Sequence, residues 1–186
     1  MSEPSGSDLA EVLRQTLVER ELEFEEPTPG SFVVRLPGVR KLATVTWFVI
    51  GDHSLHIEAF FCRRPDENQE AFYRWLLQRN ARMYGVSFSV DHLGDVYLVG
   101  RVPLSSVEPD ELDRLLGSVL TYADDWFDVA LEIGFRSSIE REWDWRVSRG
   151  ESLANLAAFA RFADPANRPS DPGDPDLPPS PSTSHG

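Results

Sequence analysis

Apolar and polar positions follow two periods along this chain, and the changes between them mark its elements. Leu9, Val12, Leu13, Thr16 and Leu17 recur at three and four residues behind Asp8-Leu9-Ala10-Glu11, a D-x-x-E capping pattern. This predicts a first helix over Asp8–Glu21. A period of two takes over in Phe32-Val33-Val34-Arg35-Leu36 and in the β-branched and aromatic run Leu42–Ile50. It returns at Ser54–Cys62, where Leu55, Ile57, Ala59 and Phe61 alternate with His56, Glu58, Phe60 and Cys62. Turn chemistry at Pro37-Gly38 and Gly51-Asp52-His53 joins the three runs into an antiparallel meander. Between helix and meander, Glu19–Glu26 sets five glutamates around Leu22 and Phe24, which reads as a solvated edge leading into the turn Pro27-Thr28-Pro29-Gly30.

The period returns to helical after Arg64-Pro65-Asp66-Glu67, which has the proline and acidic residues of a helix start. Phe72, Tyr73, Trp75, Leu76, Leu77, Met83 and Tyr84 then cover an apolar arc of roughly 200°, where a helix lying on one sheet needs about 100°. The surplus predicts a second partner for this helix, either another helix of the chain or a second copy meeting it at a dimer seam. Gly85 is placed to end the helix, because glycine takes the left-handed C′ conformation without a Cβ penalty. Val86, Phe88 and Val90 alternate with Ser87 and Ser89, Asp91-His92-Leu93-Gly94 turns, and Val96, Leu98 and Gly100 alternate with Tyr97, Val99 and Arg101. The result is a hairpin. Glu108-Pro109-Asp110-Glu111 opens a long helix over Pro109–Ile133 with Gly134 as its stop. A short helix containing Trp143-Asp144-Trp145-Arg146 follows, and an alanine-rich one spans Ser152–Asp164.

The element order α-β-β-β-α-β-β-α predicts an α+β sandwich, with both major helices on one face of a five-stranded antiparallel sheet and further helices at the C-terminus. Val45 and Trp47 alternate with Thr46 and Phe48, so large residues point to both sheet faces. The face away from the helices is therefore expected to be open in part or covered by a partner. Residues 7–164 read as one domain, long enough to bury its own core. Residues 1–6 read as unstructured. The tail 165–186 holds half of the 14 prolines and no Phe, Trp or Tyr, so it is expected to be disordered.

Composition removes several classes of function. A net charge of −13 repels phosphate backbones and anionic lipid, so neither nucleic acid nor membrane is an expected partner. The apolar runs fall short of the roughly 20 residues that span a bilayer. One cysteine, Cys62, precludes an internal disulfide and a cysteine-built zinc site, and with no signal-like start it suits the cytoplasm.

Tyr73–Val90 (YRWLLQRNARMYGVSFSV), Asp91–Val102 (DHLGDVYLVGRV), the long helix from Pro109 and Trp145–Ser152 (WRVSRGES) resemble the YbjN family of bacterial proteins, known as sensory transduction regulators. The resemblance spans Ser7–Asp164. The element order is also similar to that of type III secretion chaperones. What the resemblance implies is a chaperone-like fold, dimerisation and a part in regulation or stress response. It carries over no catalytic or ligand motif.

The candidate chemistry is thin beside its plainer readings. His56-Ile57-Glu58 matches the H-x-E half of a zinc deaminase signature, but the P-C-x-x-C half is absent. Two polar side chains on a solvent-facing strand account for it. His56, Glu58 and Cys62 share even register, and Arg63 and Arg64 beside Cys62 could lower its thiol pKa, although an arginine-flanked cysteine at a strand end is usually an ordinary buried or half-buried thiol. A small metal-dependent or small-molecule-processing enzyme using that strand face is the alternative function. Asp124, Asp125 and Asp128 read as outward carboxylates that keep a helix soluble. The leading reading is a non-enzymatic protein-binding or chaperone-like regulator that needs no cofactor or metal and forms a homodimer. Its contacts are expected at Tyr73, Leu77, Asn80 and Tyr84 on the central helix and at Trp143, Trp145 and Arg146, residue types enriched at interface hot spots. The competing role for the last group is internal, with tryptophans packing and arginines pairing with Glu140, Glu142, Asp144 and Glu151.

Overall fold

A computed structural model describes residues 6–152. The alanine-rich helix and the proline-rich tail expected beyond Ser152 lie outside the described residues, as do residues 1–5. The chain divides into two compact units, Met1–Ser138 and Ile139–Gly186.

The first unit begins with helix α1 (Gly6–Glu19), which buries Leu9, Leu13 and Leu17. Six strands follow in two groups: β1 (Glu23–Thr28), β2 (Ser31–Pro37), β3 (Ala43–Ile50) and β4 (Ser54–Cys62), then β5 (Ser87–Val90) and β6 (Val96–Pro103). They form one antiparallel sheet in the order β1-β2-β3-β4-β6-β5, so the hairpin docks through its second strand onto β4. Helix α2 (Gln69–Asn80) separates the groups, and α3 (Pro109–Asp125) and α4 (Phe127–Arg149) follow the sheet. Among the described residues the fold is thus α+β, with six strands where the sequence predicted five.

The extra strand is β1. The acidic segment read as a solvated edge pairs with β2, Glu23 opposite Arg35 and Glu25 opposite Val33. One apolar contact and one ion pair anchor it: the Phe24 ring lies 6.1 Å from Phe32, and the Glu26 carboxylate accepts from Arg14 at 2.6 Å. Glutamate has a low strand propensity, so this edge strand is set by pairing and leaves only a weak trace in the local pattern.

Two helix ends also differ from expectation. α2 stops at Asn80 instead of continuing to Gly85, which removes Met83 and Tyr84 from its face and shrinks the buried set to Phe72, Trp75 and Leu76. The apolar arc is thereby shortened to Phe72–Leu77, with its core side buried and Leu77 left 68% exposed at its outer edge. Gly85 does adopt a left-handed φ of 72°, in the turn that leads into β5. The long helix breaks at Trp126, which stacks on Tyr122 at 4.9 Å and lies 5.9 Å from Phe88, and α4 then runs straight through Gly134. Gly134 is buried because α4 approaches closely there: a Cβ would fall 2.8 Å from Pro65 and 2.9 Å from Phe72. Trp143–Arg146 belong to this same helix, with no separate short helix among the described residues.

The core lies between one sheet face and the helices. Phe32, Val34 and Leu36 on β2, Phe48 on β3, Leu55, Ile57 and Phe61 on β4, and Val96 and Leu98 on β6 are fully enclosed. Leu112, Leu115 and Val119 of α3, Leu13 and Leu17 of α1 and Phe72 of α2 are buried to the same degree. A fixed period of two then sends every intervening residue to the opposite face.

Candidate protein-binding site

That opposite face is left uncovered by α1, α2 and α3, as the alternation around Trp47 predicted. Register places Glu25, Val33, Trp47, Glu58, Val99 and Ser87 in one row across all six strands. The row beside it runs Glu23, Arg35, Val45, then Phe60, Tyr97 and Ser89. Val45, Trp47 and Phe60 are each 42% exposed and Val49 is 37% exposed, while Val33, Tyr97 and Val99 are half-buried between them. Phe60 and Tyr97 meet edge to face at 5.5 Å. A contiguous apolar patch with a polar rim is a characteristic surface for a protein partner.

The two sheet edges are blunted. The Asn80 carboxamide accepts from the Phe88 N–H at 2.7 Å and donates to the Phe88 carbonyl at 3.1 Å, filling the outer edge of β5 as a neighbouring strand would. The β1 edge carries Glu23, Glu25 and Pro27 and a bulge between Glu25 and Thr28. Charges, proline and bulges all obstruct edge-to-edge pairing.

The residues predicted from sequence are dispersed. Asn80 is committed to β5. Tyr84 lies beyond α2, where its hydroxyl donates to the Glu111 carboxylate at 2.7 Å; that bond, followed by burial, holds the phenol above its ordinary pKa. Tyr73 donates to the Gly94 carbonyl at 3.4 Å and, with the 68% exposed Leu77, lines a shallow cleft of about 540 Å³ completed by Glu70, Arg74 and Gln78. In the second unit the arginines pair internally: Arg146 Nε donates to Glu142 at 2.6 Å, and the Arg149 guanidinium lies 4.8 Å from the centre of the exposed Trp145 ring. Trp143 is half-buried. Sequence reasoning foresaw an open sheet face but did not assign Phe60, Tyr97 or Val99 to it. The pairing of β4 with β6 brings them together, and no local pattern reveals that.

The strand face offered as an enzyme site does not assemble. His56 and Glu58 point outward, but a register shift between Phe60 and Cys62 turns Cys62 inward, where it is buried. Burial pushes its thiol up to about 12, against the smaller pull of Lys41, so the arginines beside it do not produce a thiolate. Among the described residues no group of three or more His, Cys, Asp or Glu side chains is placed to hold a metal ion.

Asp124 is likewise not an outward carboxylate. It is buried, and the backbone N–H groups of Arg40 and Lys41 each donate to its Oδ1 at 2.8 Å, fixing the β2–β3 loop. Burial alone would raise its pKa, but the N–H groups of Lys41, Val39 and Arg40 and the Arg40 charge together hold it below the usual carboxylate value. Asp125 and Asp128 pair with the Arg40 guanidinium at 2.8 and 3.3 Å. Lys41, the chain's single lysine, turns inward to donate to the Phe60 carbonyl, and burial lowers its amine to about 8.

Six antiparallel strands carrying helices on one face, with the other face apolar and open, define an α+β protein of the type III secretion chaperone-like fold. A chain in the crystal structure titled "Crystal Structure of the ExsC-ExsE Complex" has the same fold at a TM-score of 0.50 and 16% identity, over 67% of this chain and 95% of that one. The sequence profile of YbjN, described as "Putative bacterial sensory transduction regulator", matches residues 9–132, and the chain belongs to that family. It is 53% identical over 152 residues to "Uncharacterized protein Rv0487" of Mycobacterium tuberculosis H37Rv, covering 79% of this chain and 83% of that protein. The same figures hold for "Uncharacterized protein Mb0497" of Mycobacterium bovis. To "Uncharacterized protein ML2442" of Mycobacterium leprae it is 59% identical over 126 residues, 68% of each chain. No helix of the described residues is long and apolar enough to cross a membrane.

Proposed function

We propose that this chain is a non-catalytic regulatory protein of the cytoplasm, acting in signalling or stress response, that binds another protein or peptide across its open sheet face. One observation carries the reading: Val45, Trp47, Val49 and Phe60 stay exposed on a face whose reverse side is fully packed. On helix α2 the core takes Phe72, Trp75 and Leu76 and leaves Leu77 exposed, so a homodimer through this helix stands as the second reading, tested by light scattering of the purified chain. Tyr73 and Leu77 remain as a secondary contact, and the exposed Trp145 as a third.

A photo-crosslinking residue at position 45, compared with one at position 110 on the helix side, tests the reading in the source cells. Adducts with one defined protein from position 45 that disappear on Trp47→Ser are expected. Adducts that persist in that variant, or that form only from position 110, would contradict the face as the binding site.

A further inference from the structure

Resting on that reading, we propose that the segment bound across the outer sheet face sets an arginine or lysine among apolar residues, and that Glu58 is the carboxylate receiving it. Glu58 stands within the apolar patch, opposite Trp47 on β3 and Val99 on β6. Phe60 follows it two residues along β4 on the same face. It makes no hydrogen bond or ion pair among the described residues. While the face is open, water solvates the carboxylate. A partner that covers the patch strips that water away, and an uncompensated buried carboxylate would cancel the gain from apolar contact. A cation on the partner turns that cost into a charge-assisted hydrogen bond.

The surrounding charges favour the same match. The Tyr97 phenol, next to Phe60, is raised by burial and then by the carboxylates of Asp91, Asp95 and Glu58. Of the cations near the face, Arg35 lies 3.8 Å from Glu23 and the Lys41 amine is turned to the Phe60 carbonyl, while Arg101, in register with His56, stands diagonal to Glu58 across the β4–β6 pair without an ion pair to it. A second copy fits this patch poorly. A two-fold packing centred on this row adds a second Glu58 carboxylate to the covered patch while the row itself brings no cation. An added edge strand fits poorly too, with Asn80 filling β5 and acidic residues along β1. The occupant therefore lies across the strands and supplies the positive charge.

Calorimetric titration of the full chain with two short synthetic peptides tests this. One carries a single central arginine among valine and phenylalanine residues; its counterpart has glutamate in place of the arginine. The arginine peptide is expected to bind at least about tenfold more tightly, with the preference lost in Glu58→Gln and all binding lost in Trp47→Ser. Equal affinity for the two peptides, a preference that survives Glu58→Gln, or no saturable binding of the arginine peptide would overturn the proposal. If only Glu58→Gln is silent, the face remains the binding site and the charge assignment falls. If Trp47→Ser is silent, both fall. A dimer seen by light scattering that dissociates on Trp47→Ser would overturn it in favour of a second copy.

Discussion

A buried carboxylate holds the β2–β3 loop in place. Asp124 receives the backbone N–H groups of Arg40 and Lys41, so removing it orphans those donors. Asp124→Ala is expected to lower stability by about 1–3 kcal/mol in urea denaturation. Its folded pKa lies below the unfolded value of about 4, so the contribution is complete above that pH and is lost as pH falls through the folded value. The gap between wild type and Asp124→Asn should therefore close in acid, and a gap constant down to strongly acidic pH would contradict the assignment. Lys41 runs the other way. Its folded value of about 8 is depressed from the ordinary lysine value, so the unfolded chain binds more protons between the two. The Lys41 contribution should rise with pH from about 8 to about 10.4, against an opposite contribution from the raised Cys62 thiol, so it is read as the stability difference between wild type and Lys41→Met, which should grow across that window. Cys62, buried with its thiol near 12, should resist alkylation by iodoacetamide in the native chain and react fully only once the chain is unfolded.

At the scale of elements, α2 ends where a side chain intervenes, although its helical spacing continues. Asn80 takes both backbone groups of Phe88, so the chain turns there while apolar residues at helical intervals run on to Tyr84. Asn80→Ala should speed amide exchange at Phe88 and cost about 1–3 kcal/mol. An unchanged exchange rate would show that the carboxamide does not guard the β5 edge. Gly134 carries the reverse lesson: read as a helix stop, it is the point where α4 lies against Pro65 and Phe72. Both errors share a cause, since spacing records which residues repeat and not what they meet. The central strands were legible because β2, β3 and β4 alternate cleanly with β-branched and aromatic residues. β1 was not, having only Phe24 to mark its inner side, and the break at Trp126 contains neither proline nor glycine. The site was half legible. Trp47 beside Phe48 announced two apolar faces, whereas the neighbours Phe60, Tyr97 and Val99 depend on which strands pair.

For the molecule as a whole, the described chain combines a sealed core on one sheet face with a bare patch on the other and guarded edges on both sides. The chain's family is described as regulatory, and the proposed binding role rests on the open patch. The patch side chains contribute little to the core, so Trp47→Ser should leave the unfolding midpoint nearly unchanged while abolishing association. The most direct measurement is the photo-crosslinking pattern from position 45 in the source cells, taken with and without Trp47→Ser. The account predicts adducts with a defined partner that vanish in the variant while the circular dichroism spectrum stays that of wild type. Undiminished adducts from a folded Trp47→Ser protein would contradict it.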